Sequence, residues 1–322
     1  MRSFRTHARY ARYKAYRTGT HPLAPSIVLM GVAAIWGSSF VIMADAITRY
    51  PMLAFLSLRF GIATVVLSLI MRGSLKKINR VNLRLGLPAS VFLTAGYILQ
   101  TASLVPAAQG GTTPARSAFL TGMYVILVPV IQSIIKRKFP QRGVVLGVIF
   151  ALGGLWALSG LSLSGGGLTD WVRGDTLVFL SAVCWSTHMI LLGTTTEKHD
   201  APALAIIQMA VLTLISGLGS LIIGEHAGVP QGWQVWTALL ITSVFCSALA
   251  YTAQTWVQTK IPASRVALIL VLEPAFGGVV GWLAAGVVVL REAFGAALLI
   301  LGMIFSETLA SKKVVYESGE QL

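Results

Sequence analysis

The chain has 322 residues, of which 55% are hydrophobic and 11% charged, against roughly a quarter charged in an ordinary soluble domain. Its mean hydropathy of +0.77 is carried by apolar runs recurring from Ser26 to about Leu309, which excludes a water-soluble enzyme and leaves no length for a separate soluble domain. The formal net charge of +14 does not point to nucleic acid as a partner, because the basic residues form short clusters between apolar runs and not one stripe.

Residues 1–25 carry Arg2, Arg5, Arg9, Arg12, Lys14 and Arg17 without a single acid. They read as a basic cytoplasmic tail, since the short apolar core and small-residue cleavage site of a secretory signal are missing. Apolar runs long enough to cross a bilayer as helices follow at 26–48, 51–71, 85–106, 114–135, 143–161, 175–196, 202–223, 234–258, 265–286 and 290–309. Continuous runs of this length are not the short alternating segments of a membrane barrel. The expected fold is therefore an all-α membrane protein with ten transmembrane helices. Pro51, Gly110-Gly111, Pro140, Gly165-Gly166-Gly167, Pro202, Pro230 and Pro262 punctuate the proposed ends.

Lys and Arg resist transfer across a membrane during insertion, so their loop positions set orientation. With a cytoplasmic N-terminus, the tail, the second loop (Arg72, Lys76, Lys77, Arg80, Arg84), the fourth (Lys136, Arg137, Lys138, Arg142), the sixth (Lys198), the eighth (Lys260, Arg265) and Lys312-Lys313 hold about 20 of the basic residues. The outer loops keep Arg49, Arg116, Arg173 and Arg291. An even helix count returns both termini to the cytoplasm of a multi-pass protein of the cell (inner) membrane. Cys184 and Cys246 both fall in apolar runs and read as small hydrophobes, with no disulfide framework, metal site or other cofactor expected.

The two halves resemble one another. A shift of roughly 149 residues lays Trp36 on Trp185 and Arg59 on Gln208, and nearly equal shifts lay Gly147 and Gly154 on Gly295 and Gly302, and Pro129 on Pro274. A slightly larger one matches Tyr97-Ile98-Leu99-Gln100-Thr101 with Tyr251-Thr252-Ala253-Gln254-Thr255. Each half holds five helices, and because five is odd the second copy enters the membrane upside down. The expected units are a first repeat at 26–161, an extracytoplasmic linker at 162–174, a second repeat at 175–310 and a cytoplasmic tail at 311–322. Inverted repeats can pack in two mirror-related ways, which is the basis of alternating access.

Only two formally charged side chains lie between the helix ends, Arg59 and Glu273, each costing a few kcal/mol at bilayer depth unless paired or hydrated. They read either as an ion pair that fixes packing or as groups with a proton or substrate role. Pro129 and Pro274 each remove a backbone hydrogen bond in the middle of the fourth helix of a repeat and are candidate kinks. Trp36 and Trp185 sit about ten residues inside their spans, away from the headgroups where anchoring indoles lie. His188, Gln100, Gln254, Tyr97, Tyr124 and Tyr251 add hydrogen-bonding groups that serve either interhelical bonds or a cavity. Together they suit a cavity for a zwitterionic or aromatic metabolite. The glycines of spans five and ten read as scaffold or dimer contacts. No P-loop, HExxH, GxSxG or carboxylate cluster supports catalysis.

Trp36-Gly37-Ser38-Ser39-Phe40, Leu58-Arg59-Phe60, Leu99-Gln100-Thr101, Phe119-Leu120-Thr121-Gly122 and Leu272-Glu273-Pro274, in this order over ten spans, resemble the EamA-type members of the drug/metabolite transporter superfamily. The resemblance covers residues 26–310. It implies a basket in which spans one, three, four, six, eight and nine line a central cavity while five and ten stand aside. Trp36, Tyr97, Gln100, Tyr124, Trp185, His188, Tyr251, Gln254 and Glu273 become candidates for the lining. A glutamate that commonly follows the ninth helix is replaced by Gly286-Val287-Val288, with Glu292 displaced. The function expected is export of small organic metabolites such as amino acids or aromatic, drug-like compounds. The alternatives are an importer or facilitator, a membrane-embedded enzyme or a scaffold. Its partners are a small-molecule substrate, the lipid bilayer and a second copy of the chain if the glycine faces make a homodimer.

Overall fold

A computed structural model of the chain describes residues 23–103, 110–112, 114–159, 171–195, 200–225, 227–286 and 288–319. The basic tail, the Gly165-Gly166-Gly167 connection, Lys198 and Val287 lie outside the described residues. The order of elements is α1 (Leu23–Arg49), α2 (Met52–Ile70), a single turn α3 (Arg72–Leu75), α4 (Arg80–Ala102), α5 (Pro114–Gly122), α6 (Tyr124–Lys136) and α7 (Arg142–Ser159). The second half follows with α8 (Arg173–Thr195), α9 (Ala201–Ile222), α10 (Trp233–Ile241), a π-helical stretch Thr242–Leu249, α11 (Ala250–Gln258), α12 (Ala263–Leu270), α13 (Glu273–Ala285) and α14 (Leu290–Gly319). No strand occurs among the described residues.

Among the described residues eight stretches are long and apolar enough to cross a membrane: Met52–Ile70, Arg80–Ala102, Arg116–Lys136, Arg142–Ser159, Arg173–Thr195, Ala201–Ile222, Trp233–Gln258 and Ala263–Val280. The first helix holds a shorter apolar stretch, Leu23–Ser39. Large aliphatic side chains stand out on the surface, among them Ile134 at 71%, Leu221 at 78% and Leu283 at 80% exposure. Such a surface is insoluble in water and matched to lipid.

Local chemistry sets the helix starts. Asn79 accepts from the backbone N–H of Val81 and Asn82 at 3.0 Å each, a side-chain cap that starts α4 at Arg80, so Arg80 and Arg84 belong to the helix and not to the loop expected from their charge. Asp200 caps α9 through Ala203 N–H. Pro51 precedes α2 and offers no side-chain acceptor. Glu225 takes that role from the other half of the chain, accepting from Leu53 N–H at 3.1 Å and Ala54 N–H at 2.8 Å.

Three expected single helices are interrupted. The fourth span breaks at Met123, whose N–H bonds three residues back to Leu120, so α6 starts there and runs through Pro129. The interruption thus lies upstream of the candidate kink. The ninth span breaks at Val271–Leu272, and Pro274 falls in the first turn of α13, where its missing N–H leaves no intrahelical bond unmade. The eighth span holds the π-helical stretch, a geometry that frees carbonyls and gathers at functional sites.

Helix contacts repeat under exchange of the halves. The third span packs on the sixth (α4 on α8) and its mate the eighth on the first (α11 on α1). The ninth packs on the first (α13 on α1) and the fourth on the sixth (α5 and α6 on α8). The second touches the π stretch of the eighth, and its mate the seventh, α9, touches α4. Contacts α2 on α9, α6 on α12 and α7 on α14 map onto themselves. At one end Lys77 pairs with Asp200, joining loops two and six. Elsewhere Tyr50 donates to the Gly228 carbonyl at 2.7 Å, joining loops one and seven, and Gly174 N–H donates to the Gly110 carbonyl at 2.8 Å, joining three and five.

The α7–α14 seam is built on glycine. A β-carbon on Gly147 would lie 2.9 Å from the Gly302 carbonyl, and one on Gly154 would lie 2.7 Å from that of Gly295. Only hydrogen fits, and the two backbones close on one another within a single chain. The contacts read from sequence as scaffold or dimer are scaffold contacts.

Candidate functional site

Where the halves meet, a cavity partly open to its surroundings is lined from both. The first half supplies Trp36, Ser39, Met43, Arg59, Tyr97, Gln100, Thr121 and Tyr124, and the second Trp185, Met189, Tyr251, Gln254, Leu270 and Glu273. Of the residues singled out from sequence, His188 does not line it, nor do the two prolines.

Paired aromatics make the wall. Trp36 meets Tyr251 with ring centroids 5.3 Å apart, and the mates of this pair, Trp185 and Tyr97, meet at 4.9 Å. Tyr251 donates its hydroxyl to that of Tyr97 at 2.8 Å, so the pseudo-twofold axis passes between two phenols. Gly96 makes room for the indole of Trp185, because a β-carbon there would sit 3.2 Å from its ring. Gly37 does the equivalent work for the backbone: α1 crosses the start of α13 so closely that a β-carbon would collide with the Glu273 carbonyl. This is the physical content of Trp36-Gly37 beside Leu272-Glu273-Pro274.

The polar groups break the symmetry. Trp36 Nε1 donates to the Cys246 carbonyl at 2.8 Å, an acceptor presented by the π-helical stretch. Trp185 Nε1 is buried and has no partner. Gln100 donates to Thr121 at 3.1 Å, whereas Gln254, donating to Gln258 at 3.4 Å, leaves its own carbonyl oxygen without one. Buried polar atoms are nearly always satisfied by protein or water. The mated positions carry one satisfied and one unsatisfied indole, and one satisfied and one unsatisfied amide.

Arg59 is 3% exposed. Its Nε donates to Ser247 Oγ at 2.9 Å, Nη1 to the Met43 sulfur at 3.4 Å and Nη2 to the Tyr97 hydroxyl at 3.4 Å. Its guanidinium lies 5.0 Å from the Phe60 ring centroid and 5.3 Å from that of Tyr97. Among the described residues no carboxylate reaches ion-pair distance of it, so the Arg59–Glu273 pair admitted by the sequence does not form. Gln208, its mate, is fully buried away from the cavity and donates to the Leu204 carbonyl at 3.2 Å. His188 stands behind the wall, edge-on to Trp185 and Tyr251 at 6.4 Å from each, its Nδ1 against the Ala89 carbonyl at 3.0 Å.

The cavity is open at one end. Ser39 and Met43 in α1, Gln100 near the end of α4 and Thr121 near the end of α5 are half-buried, whereas Met189, Tyr251, Gln254 and Leu270 at the opposite end are buried. Below them Gln258 Nε2 bonds the Met189 carbonyl at 2.6 Å, and Ile261, Ala263 and Val266 close the floor. The mouth thus faces the end holding Tyr50 and Gly228, and the floor the end holding Lys77 and Asp200. Near the mouth a buried clasp ties α5 to α8: Asp175, with no side-chain exposure, pairs with Arg116 and accepts from Thr112 and Val172 N–H. Glu292 accepts from Trp282 Nε1 at 2.7 Å, which ties the last turn of α13 to the start of α14.

Sequence reasoning missed Ser39, Met43, Thr121, Met189, Leu270, Ser247 and the Cys246 carbonyl. Ser39 and Thr121 lie inside motifs already singled out, which is a usable signal. The role of Cys246 rests on a main-chain atom freed by π geometry and leaves no trace in side-chain chemistry.

Comparison with known proteins agrees with this geometry. The model of the EamA-like transporter family matches residues 24–160 and again 172–308. A protein of Archaeoglobus fulgidus described as an uncharacterized transporter is 26% identical over 287 residues, 89% of this chain and 86% of that one. The uncharacterized transporter YyaM of Bacillus subtilis is 24% identical over 295 residues, covering 86% of this chain and 92% of its own. A solved crystal structure superposes with a TM-score of 0.72 at 17% identity, over 90% of this chain and 98% of the other. That likeness speaks to the fold alone.

Proposed function

Because the chain belongs to the EamA-like transporter family, we propose that it is a secondary transporter that exports small organic metabolites, amino acids or aromatic compounds among them, by alternating access. All ten long helical segments cross the membrane in this reading, α1 and α14 included, with both termini in the cytoplasm of the cell (inner) membrane. The two repeats lie inverted, in keeping with mated loops at opposite ends: loop one bonds loop seven, while loop six, its mate, bonds loop two.

The observation that carries the reading is the cavity on the pseudo-twofold axis, lined from both repeats by paired Trp–Tyr walls with Arg59, Gln100 and Glu273 among its polar groups. A concave space walled by aromatic rings with a few polar groups is the lining a small-solute site uses. With the basic loops inside, the mouth faces outward, the release end for an exporter. Aromatic walls bury a flat apolar body, and the polar edge orients its head group.

Purified protein reconstituted in liposomes tests this with a metabolite panel including aromatic and aliphatic amino acids. Saturable flux of chemically unchanged solute is the expected result. Chemical turnover of the solute supports an embedded enzyme, and absence of flux across the panel removes the transport reading. Flux driven by the solute gradient alone in either direction supports a facilitator.

A further inference from the structure

We propose that Arg59 is an anion anchor and that the solute carried in the cavity presents a carboxylate to it. The inference rests on the transport reading and adds to it a required chemical group and the residue that holds it.

A guanidinium has five N–H donors and cannot shed its charge. Arg59 meets three protein acceptors, of which one is a thioether sulfur at 3.4 Å and one a phenol at 3.4 Å. Only Ser247, on Nε, is at ordinary hydrogen-bond distance, 2.9 Å. One N–H on each terminal nitrogen is left over. Two parallel donors on neighbouring nitrogens match the two oxygens of a carboxylate.

The charge itself needs the same answer. A permanent cation that is 3% exposed at bilayer depth is expensive without a counter-ion, and no described carboxylate pairs with it. Its nearest neighbours are neutral: Ser247, Met43, Tyr97 and the ring of Phe60. The other formal charge of the lining, Glu273, belongs to the opposite repeat and leaves the guanidinium unpaired. The repeat relation shows that the fold does not require the charge here, since the mated position holds Gln208, which is buried by neutral hydrogen bonds away from the cavity. Tyr97 and Ser247 fix the side chain, and the aromatic faces of Trp36 and Trp185 flank the same space for an attached apolar group.

Benzoate, phenylphosphonate and the neutral isostere benzamide are the probes, titrated into the purified full-length protein by tryptophan fluorescence and by melting temperature. Benzoate is expected to bind in preference to benzamide, and Arg59→Gln to weaken benzoate by at least about tenfold while leaving benzamide unchanged. Arg59→Lys, which keeps the charge and loses the fork, should fall between the two. Equal binding of benzoate and benzamide by the unsubstituted protein, or no binding of benzoate, overturns the proposal and needs no variant that folds. Phenylphosphonate bound more tightly than benzoate overturns the carboxylate assignment. Saturable flux of neutral solutes but of no carboxylate through the unsubstituted protein in liposomes would keep the transport reading and sink this one.

Discussion

Gly154 shows how much a single hydrogen atom decides in this chain. A β-carbon there would lie 2.7 Å from both the Gly295 carbonyl and a methyl of Leu299, whereas one on Gly31 meets nothing within 4 Å. The two glycines sit in similarly apolar helices, so propensity alone treats them alike, each gaining up to about 1 kcal/mol on replacement by alanine. Packing separates them. Gly154→Ala must push α7 from α14 and is expected to destabilise by about 1–3 kcal/mol, while Gly31→Ala is neutral or stabilising. Thermal unfolding of both variants in one detergent checks this, and equal melting temperatures would show that the seam is not close-packed. The residue scale is also where Trp36 and Trp185 part company. Both stood out in the sequence because an indole ten residues from a helix end is misplaced for an anchor. Which one would find an acceptor depended on a neighbouring helix being wound as π, and no property of either indole encodes that.

Whole elements were legible to the extent that the bilayer imposes them. A span must be about 20 apolar residues long, so the rough limits of the eight stretches that qualify among the described residues follow from counting. Ends and interruptions are set by partners distant in sequence. The start of α2 is held by Glu225, from the other repeat, and the break at Met123 precedes Pro129 instead of falling on it. Asp200 gives this scale a measurable signature at the start of α9. Burial works against its charged form, but hydrogen bonds from Lys77, Ser74 and Ala203 N–H, with the lysine charge, outweigh it and hold the carboxyl below its usual range. A depressed carboxyl contributes stability that is present above the unfolded value, about 3.9, and lost as pH falls through the lower folded value. Asp200→Asn is therefore expected to reduce stability at neutral pH and to flatten the acid limb of a melting-temperature profile below about pH 4. The loss at pH 7 should be small, under about 1 kcal/mol, because asparagine still caps α9 and the Lys77 partner is more than half exposed, which leaves the ion pair worth little. An unchanged acid limb would show that the cap does not titrate with folding.

At the scale of the molecule, two structurally mated halves pack around a cavity that is open at one end and sealed at the other. The mouth is bordered by half-buried Ser39, Met43, Gln100 and Thr121, and the floor is sealed by Gln258 on the Met189 carbonyl with Ala263 beneath. In the proposed alternating-access cycle the mated contacts exchange, so that closing the mouth opens the floor. Single cysteines report on this after Cys184 and Cys246 are replaced by serine. Cys246 contributes its carbonyl, not its thiol, to Trp36, so that replacement leaves the bond intact. With the orientation set by the basic loops, Ser39→Cys should react with a membrane-impermeant maleimide added to intact cells. Ala263→Cys, 2% exposed in the present packing, should stay protected from the same reagent added to inverted vesicles. A transported solute supplied from the floor side binds both packings as it crosses, and it should slow labelling at Ser39 and raise it at Ala263 within one protein. Reaction of Ala263→Cys but not Ser39→Cys in the resting protein would place the mouth at the cytoplasmic face. Labelling of both positions at fixed rates, indifferent to every solute that crosses, would mean a static pore with no exchange between packings.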